Sequence, residues 1–191
     1  MIENNYLSDN DSDVYIYPLN QNEIYESLAV IHNCIRVLNA ADYTPEQIEI
    51  IVGTYDRTIL RSGNVFVAKQ NNHIIGVAKI SGLNVIGIPR IDAVFIDPNF
   101  IRQGIGRKLV SVLEAKAYEA KAKELLVCSS LTAKEFYLSL GYESISELNI
   151  SGNIPCIMMR KTLRETTPID IIQNIFVFVV PVLILILIFF F

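Results

Sequence analysis

Apolar residues recur along this chain at two spacings, and the switches between them mark out its elements. Ile24, Leu28, Ile31, Ile35 and Leu38 follow one another at steps of 4, 3, 4 and 3, which predicts an amphipathic helix with a continuous apolar stripe. A short β-rich run, Val14 to Leu19, precedes it. Thr44-Pro45-Glu46-Gln47 opens a second helix: Thr44 as N-cap, Pro45 at the first helical position and Gln47 as capping-box partner. Val65–Lys69 and Ile74–Ile80 flank Gln70-Asn71-Asn72-His73, the layout of a β-hairpin whose Asn residues tolerate positive φ. Ile88–Ile96 reads as a further strand, stopped by Asp97-Pro98. Ile105, Leu109, Val112, Leu113 and Ala117 return to helical spacing, and Leu125–Cys128 returns to a strand. Thr132 with Glu135 has the form of a second capping box, opening a short helix closed by Gly141. Two final strands fit Tyr142–Leu148 and Ile154–Leu163. The order β-α-α-β-β-β-α-β-α-β-β predicts an α/β fold with a mixed sheet flanked by helices.

After Asp170 both periods vanish. Residues 171–191, IIQNIFVFVVPVLILILIFFF, carry no charge and show no polar face at any period. As a helix they measure ~31 Å, the thickness of a bilayer hydrocarbon core. We expect a transmembrane helix here, kinked at Pro181. Residues 1–13 have neither a basic nor an apolar stretch and do not form a signal peptide, so they read as a polar, disordered lead. The expected organisation is that lead, a folded domain over 14–163, a linker over 164–170 and a span over 171–191. This is the layout of a tail-anchored protein whose N-terminal domain stays in the cytosol. Arg160, Lys161 and Arg164 before the span agree with that orientation. In a eukaryote the endoplasmic reticulum is favoured, and in a bacterium the inner membrane.

Composition narrows the function. The net charge of −4 comes from the termini, since residues 14–163 hold 15 basic and 14 acidic residues. A near-neutral domain has no field for nucleic acid, and none is expected as a partner. Cys34, Cys128 and Cys156 are odd in number and widely spaced, and His32 and His73 are the only histidines. Neither a zinc site nor a disulfide framework is indicated, and no metal is expected. Cys128 reads as an inert core thiol.

Chemistry concentrates after the Ile88–Ile96 strand. Ile101-Arg102-Gln103-Gly104-Ile105-Gly106-Arg107-Lys108 lies between that strand and the start of a long helix. Free backbone N–H groups, the positive end of the helix dipole and two residues without Cβ make an anion site for phosphate or pyrophosphate. The loop lacks the GK[ST] of a P-loop and the third glycine of a dinucleotide fold.

Taken together, VFIDP, IRQGIG, RKLVSVLEAKAYEA, ELLVCSS and TAKEFYLSLGY resemble, in order and spacing, the core of the GNAT N-acyltransferase superfamily. ADYTPEQI and FVAKQNNHIIGVAKI extend the resemblance over roughly residues 14–163. It implies a mixed, largely antiparallel sheet flanked by helices, here followed by one C-terminal transmembrane helix. It also implies acetyl-CoA as acyl donor and a primary amine as acceptor, by direct attack in a ternary complex. The loop Arg102, Gln103, Gly104, Ile105, Gly106 and Arg107, with Lys108 beside it, takes the place of the family's pyrophosphate cradle. Ile101 stands where the family usually has Arg or Gln. Phe95 and Ile96 match the strand whose backbone pairs with pantetheine, in an opening between the fourth and fifth strands. Tyr137 matches the general acid that serves the leaving thiolate. Asp92 is the best-placed carboxylate for a general base, with Glu143 as runner-up. Asp42 and Tyr43 fall where family members build the acceptor pocket. Ser129 and Ser130 either bond the cofactor or only end a strand. The rival reading is a non-catalytic acyl-CoA-binding or adaptor protein on a membrane surface.

Overall fold

The computed structural model describes residues 14–83, 87–151 and 153–164. The expected lead and transmembrane segment therefore lie outside the described residues, as does the linker from residue 165 onwards. Among the described residues, no helix is long and apolar enough to cross a membrane.

Among the described residues seven strands form one sheet: β1 (Tyr15–Pro18), β2 (Val65–Gln70), β3 (His73–Ser81), β4 (Arg90–Ile96), β5 (Glu124–Ser129), β6 (Glu143–Ile150) and β7 (Ile154–Thr162). Their order across the sheet is β1-β2-β3-β4-β5-β7-β6, and every neighbouring pair is antiparallel except β4 and β5. Among the described residues five α-helices flank it: α1 (Ile24–Leu38), α2 (Pro45–Thr54), α3 (Arg57–Arg61), α4 (Ile105–Glu119) and α5 (Lys134–Ser139).

The apolar stripe read from the sequence is what seats α1. Ile24, Ile31 and Ile35 pack with Ile48 and Val52 of α2 on one sheet face, against Val65, Val67 and Val77. The alternate residues Phe66, Ala68 and Ala78 point to the other face, where α4 lays Ile105, Leu109, Leu113 and Ala117. Gly76 lets α4 come close, because a Cβ there would stand 3.0 Å from a Leu109 methyl. The β2–β3 turn holds Asn71 at φ 49° and Asn72 at φ 67°, as Asn residues in a hairpin turn allow.

Three local expectations need correction. α3 follows α2 directly and was not foreseen; the Asp56 carboxylate caps it by accepting from the Thr58 and Ile59 amides. The Thr132 capping box does not form. α5 starts at Lys134 behind Ala133, and the Thr132 hydroxyl instead donates to Asp42, 90 residues away, at 2.6 Å. Finally, Cys128 and Cys156 form a disulfide between the neighbouring strands β5 and β7, their Cα atoms 6.1 Å apart. Antiparallel pairing brings together residues that 28 positions of sequence separate, which spacing along the chain does not reveal. Cys34 stays free and buried.

Candidate active site

The parallel join of β4 and β5 is short. Only Arg90 and Ile91 are in register with Leu126 and Val127; past them β4 continues from Asp92 to Ile96 while β5 continues to Ser129 and pairs only with β7. Beyond Ile91 the backbone edge of β4 facing that gap has no strand partner. The gap opens into a cavity of about 650 Å³. Its walls include Phe95 and Ile96 of β4 and Cys128 and Ser129 of β5, with Tyr43 and Tyr55 from the α1–α2 side and Phe136 and Tyr137 from α5.

At one end of the cavity lies the N-terminus of α4. Gly104 is its N-cap at φ 79°, a left-handed conformation that costs a residue with Cβ roughly 1–2 kcal/mol. Arg102 is also left-handed, at φ 60°. The first intrahelical bond runs from the Lys108 amide to the Gly104 carbonyl, which leaves the amides of Ile105, Gly106 and Arg107 without a partner inside the helix. Gly104, Gly106, Arg102 and Arg107 line the cavity. A Cβ on Gly106 would stand 3.2 Å from the Phe136 ring, so α5 packs directly on this turn. Gln103 is exposed, Lys108 lies outside the cavity lining, and Ile105 turns into the core beneath the loop.

Asp92 lines the cavity, and its carboxylate accepts three hydrogen bonds. Lys79 Nζ donates to one oxygen at 2.7 Å; Arg90 Nε at 2.9 Å and Ser81 Oγ at 3.1 Å donate to the other. Burial alone would raise its pKa, yet the hydrogen bonds from Lys79 and Arg90 outweigh this and hold the carboxyl below its ordinary 3.8. Tyr137 is 4% exposed, and its ring meets Phe136 and Tyr142 edge-on at 5.1 and 5.3 Å. Burial, with Tyr55 nearby, pushes its phenol well above the ordinary 10. It therefore stays a proton donor at any working pH. Burial likewise pushes the Cys34 thiol up to about 11, so this cavity-lining cysteine remains a thiol.

Of the proposed acceptor contacts, Tyr43 lines the cavity and Asp42 does not. The Tyr43 hydroxyl donates to the Pro155 carbonyl and accepts from the Leu131 amide, both at 2.9 Å, tying the start of β7 to the loop before α5. Ser129 and Ser130 both line the cavity; the Ser129 hydroxyl donates to the Ser130 carbonyl, and the Ser130 hydroxyl accepts from the Ala133 amide. Glu143 is exposed at the start of β6, outside the lining. Tyr55 was missed by sequence reasoning. It caps α2, donates to the Asp92 carbonyl at 3.0 Å and stacks edge-on with Phe95 at 4.9 Å. Burial first, and the Asp92 charge second, push its phenol up to about 12. A tyrosine just past a predicted helix carries no chemical signature of its own.

A cavity between splayed parallel strands, ending on an open helix N-terminus and reached by a buried phenol, fits an enzyme that seats a long phosphorylated cosubstrate. The family follows from the chain itself: residues 39–163 match the family described as the acetyltransferase (GNAT) domain, and this chain belongs to that family. It is an acetyl-CoA-dependent N-acetyltransferase. A UPF0039 protein of Schizosaccharomyces pombe is 28% identical over 110 residues, covering 56% of this chain and 73% of that protein. A GCN5-related N-acetyltransferase structure from Rhodopseudomonas palustris superposes with a TM-score of 0.72 at 24% identity, covering 79% of this chain and 96% of that one. The PaiA N-acetyltransferase from Thermoplasma acidophilum, solved with coenzyme A, gives 0.65 at 16% identity, covering 78% and 98%. These two likenesses show the shared fold.

Proposed function

We propose that this protein moves an acetyl group from acetyl-CoA to a primary amine by direct attack, and that the β4–β5 split running onto the α4 N-terminus is the cosubstrate channel. That split is the observation that carries the reading. The pantetheine arm adds itself to the free edge of β4 at Phe95 and Ile96. The pyrophosphate rests on the amides from Gly104 to Arg107, with the Arg102 and Arg107 side chains adding charge. The neutral amine nitrogen attacks the thioester carbon, and the carbon–sulfur bond breaks as the amide forms. One proton passes overall from nitrogen to sulfur, and Tyr137 serves the departing sulfur as hydrogen donor. Release of CoA thiol that requires both acetyl-CoA and an amine tests the transfer.

Asp92 takes a different part in this proposal from the general base expected of it. A carboxylate shared among Lys79, Arg90 and Ser81 and held below its ordinary pKa is a poor proton acceptor; it anchors the β3–β4 wall. Asp92→Asn is expected to lose about 3 kcal/mol of stability, since it leaves the Lys79 ammonium, 9% exposed, without its counter-charge. The wild-type contribution of this ion pair is complete above an unfolded pKa of about 3.8 and is lost as pH falls through the lower folded value. Denaturant melts of both proteins across that range check the sign. The same engagement favours the second reading, a CoA-binding adaptor without turnover, because among the described cavity-lining residues no other carboxylate stands ready as a base.

Membrane tethering belongs to the same proposal and rests on the 21 uncharged residues 171–191. The domain then faces the cytosol, at the endoplasmic reticulum in a eukaryote or the inner membrane in a bacterium. The full chain is expected to stay with membranes through carbonate washing, and a chain lacking residues 171–191 is expected to be released.

A further inference from the structure

We infer that the acceptor is a small apolar monoamine: one primary amino group on a hydrocarbon or aromatic body, with no second cationic group. The inference rests on the acetyltransferase reading and names the substrate class of that same cavity.

The charges that line the cavity divide cleanly. Arg102 and Arg107 stand at the α4 end, where the cosubstrate's phosphates belong. Asp92 is the only acidic side chain among the described lining residues, and its charge is shared with Lys79 and Arg90, with Ser81 as a third donor. The end away from α4 includes Tyr43, Ile51, Tyr55 and Ile154, which belong to the apolar layer on the opposite sheet face. Its two phenols are already committed, Tyr43 to the Pro155 carbonyl and the Leu131 amide, and Tyr55 to the Asp92 carbonyl. A second ammonium entering this end would lose its water and find only a carboxylate whose charge Lys79 and Arg90 already neutralise. A hydrocarbon chain or ring gains by the same burial. The apolar wall also favours the neutral form of the one amine that must react, since desolvation lowers an ammonium pKa. The Asn39 side chain, buried beside Leu38 on the lining, supplies a neutral polar group that an amine can reach without a charge partner. The cavity of about 650 Å³ must also take the acyl-pantetheine end, which leaves space beside it for a small apolar body.

The test is a specificity series on the purified full chain in detergent, at saturating acetyl-CoA, read as thiol release. Hexylamine and hexamethylenediamine form a matched pair that differs by one ammonium. kcat/KM for hexylamine is expected to exceed that for the diamine by at least about 100-fold, the scale on which a buried unpaired group discriminates. From butylamine to pentylamine to hexylamine, each added methylene is expected to raise kcat/KM about fourfold. Ile150→Glu places a carboxylate at the rim, on a residue 48% exposed, and is expected to close most of the gap between monoamine and diamine. Equal or better use of hexamethylenediamine or spermidine by the wild type would overturn the monoamine inference and leave the acetyltransferase reading standing. A leucine-initiated peptide used better than hexylamine would overturn the small-molecule assignment. If acetyl-CoA binds and no amine in the series releases thiol, the acetyltransferase reading itself fails, and this inference with it.

Discussion

Replacing Tyr137 by Phe is expected to lower kcat for amine acetylation about 100- to 1000-fold while acetyl-CoA affinity changes by less than about threefold. The substitution removes one oxygen and keeps the ring that packs edge-on against Phe136 and Tyr142, so the α5–β6 region retains its core. It therefore separates two roles for this residue. A tyrosine kept only for packing would tolerate Phe with little change in rate or stability. A tyrosine that serves the leaving sulfur loses the O–H that burial keeps protonated, and the thiolate must leave unassisted. Steady-state rates from thiol release, set beside acetyl-CoA titrations of both proteins, give kcat and affinity separately. A variant with wild-type kcat would remove Tyr137 from the chemistry.

The second large effect is expected at the cradle. Gly104→Val should weaken acetyl-CoA binding about 10- to 100-fold, because two costs fall on one residue. At φ 79° a β-branched residue is strained by more than the roughly 1–2 kcal/mol typical of left-handed backbone, and relief of that strain moves the amides that follow. No heavy atom lies within 4 Å of the site of the new Cβ, so the cost is conformational and does not arise from a clash in the free protein. Gly104→Asn, whose side chain tolerates the left-handed region, should recover much of the affinity. Titration calorimetry of the three proteins checks the order glycine, asparagine, valine. Equal affinities would mean that the α4 N-terminus does not hold the pyrophosphate.

Much of this fold was legible because its elements are amphipathic and its signals local. The 4, 3, 4, 3 spacing of Ile24 to Leu38 coincides with α1, and the Thr44 box forms with both of its bonds present. The loop between the fourth strand and third predicted helix was legible through two glycines and the helix that follows them. What escaped the sequence depends on pairs distant along the chain. Thr132 satisfies its hydroxyl on Asp42 and has no need of a cap. Cys128 meets Cys156 only because β7 returns beside β5. Asp92 looked like an available carboxylate because its partners Lys79 and Ser81 lie on another strand. Tyr55 became part of the site only when α2 was laid over β4. In each case the residue type was visible, and the partner that decides its role was supplied by the tertiary fold.

We propose that the β4–β5 cavity binds acetyl-CoA and delivers its acetyl group to an amine. The most direct test titrates acetyl-CoA into the full chain by calorimetry and then follows free thiol in the same sample as hexylamine is added. Saturable binding with one site per chain, followed by thiol release that stops when the amine is withheld, is the predicted result. Binding without amine-dependent thiol release would contradict the transfer, and a folded protein that binds no acetyl-CoA would contradict the channel.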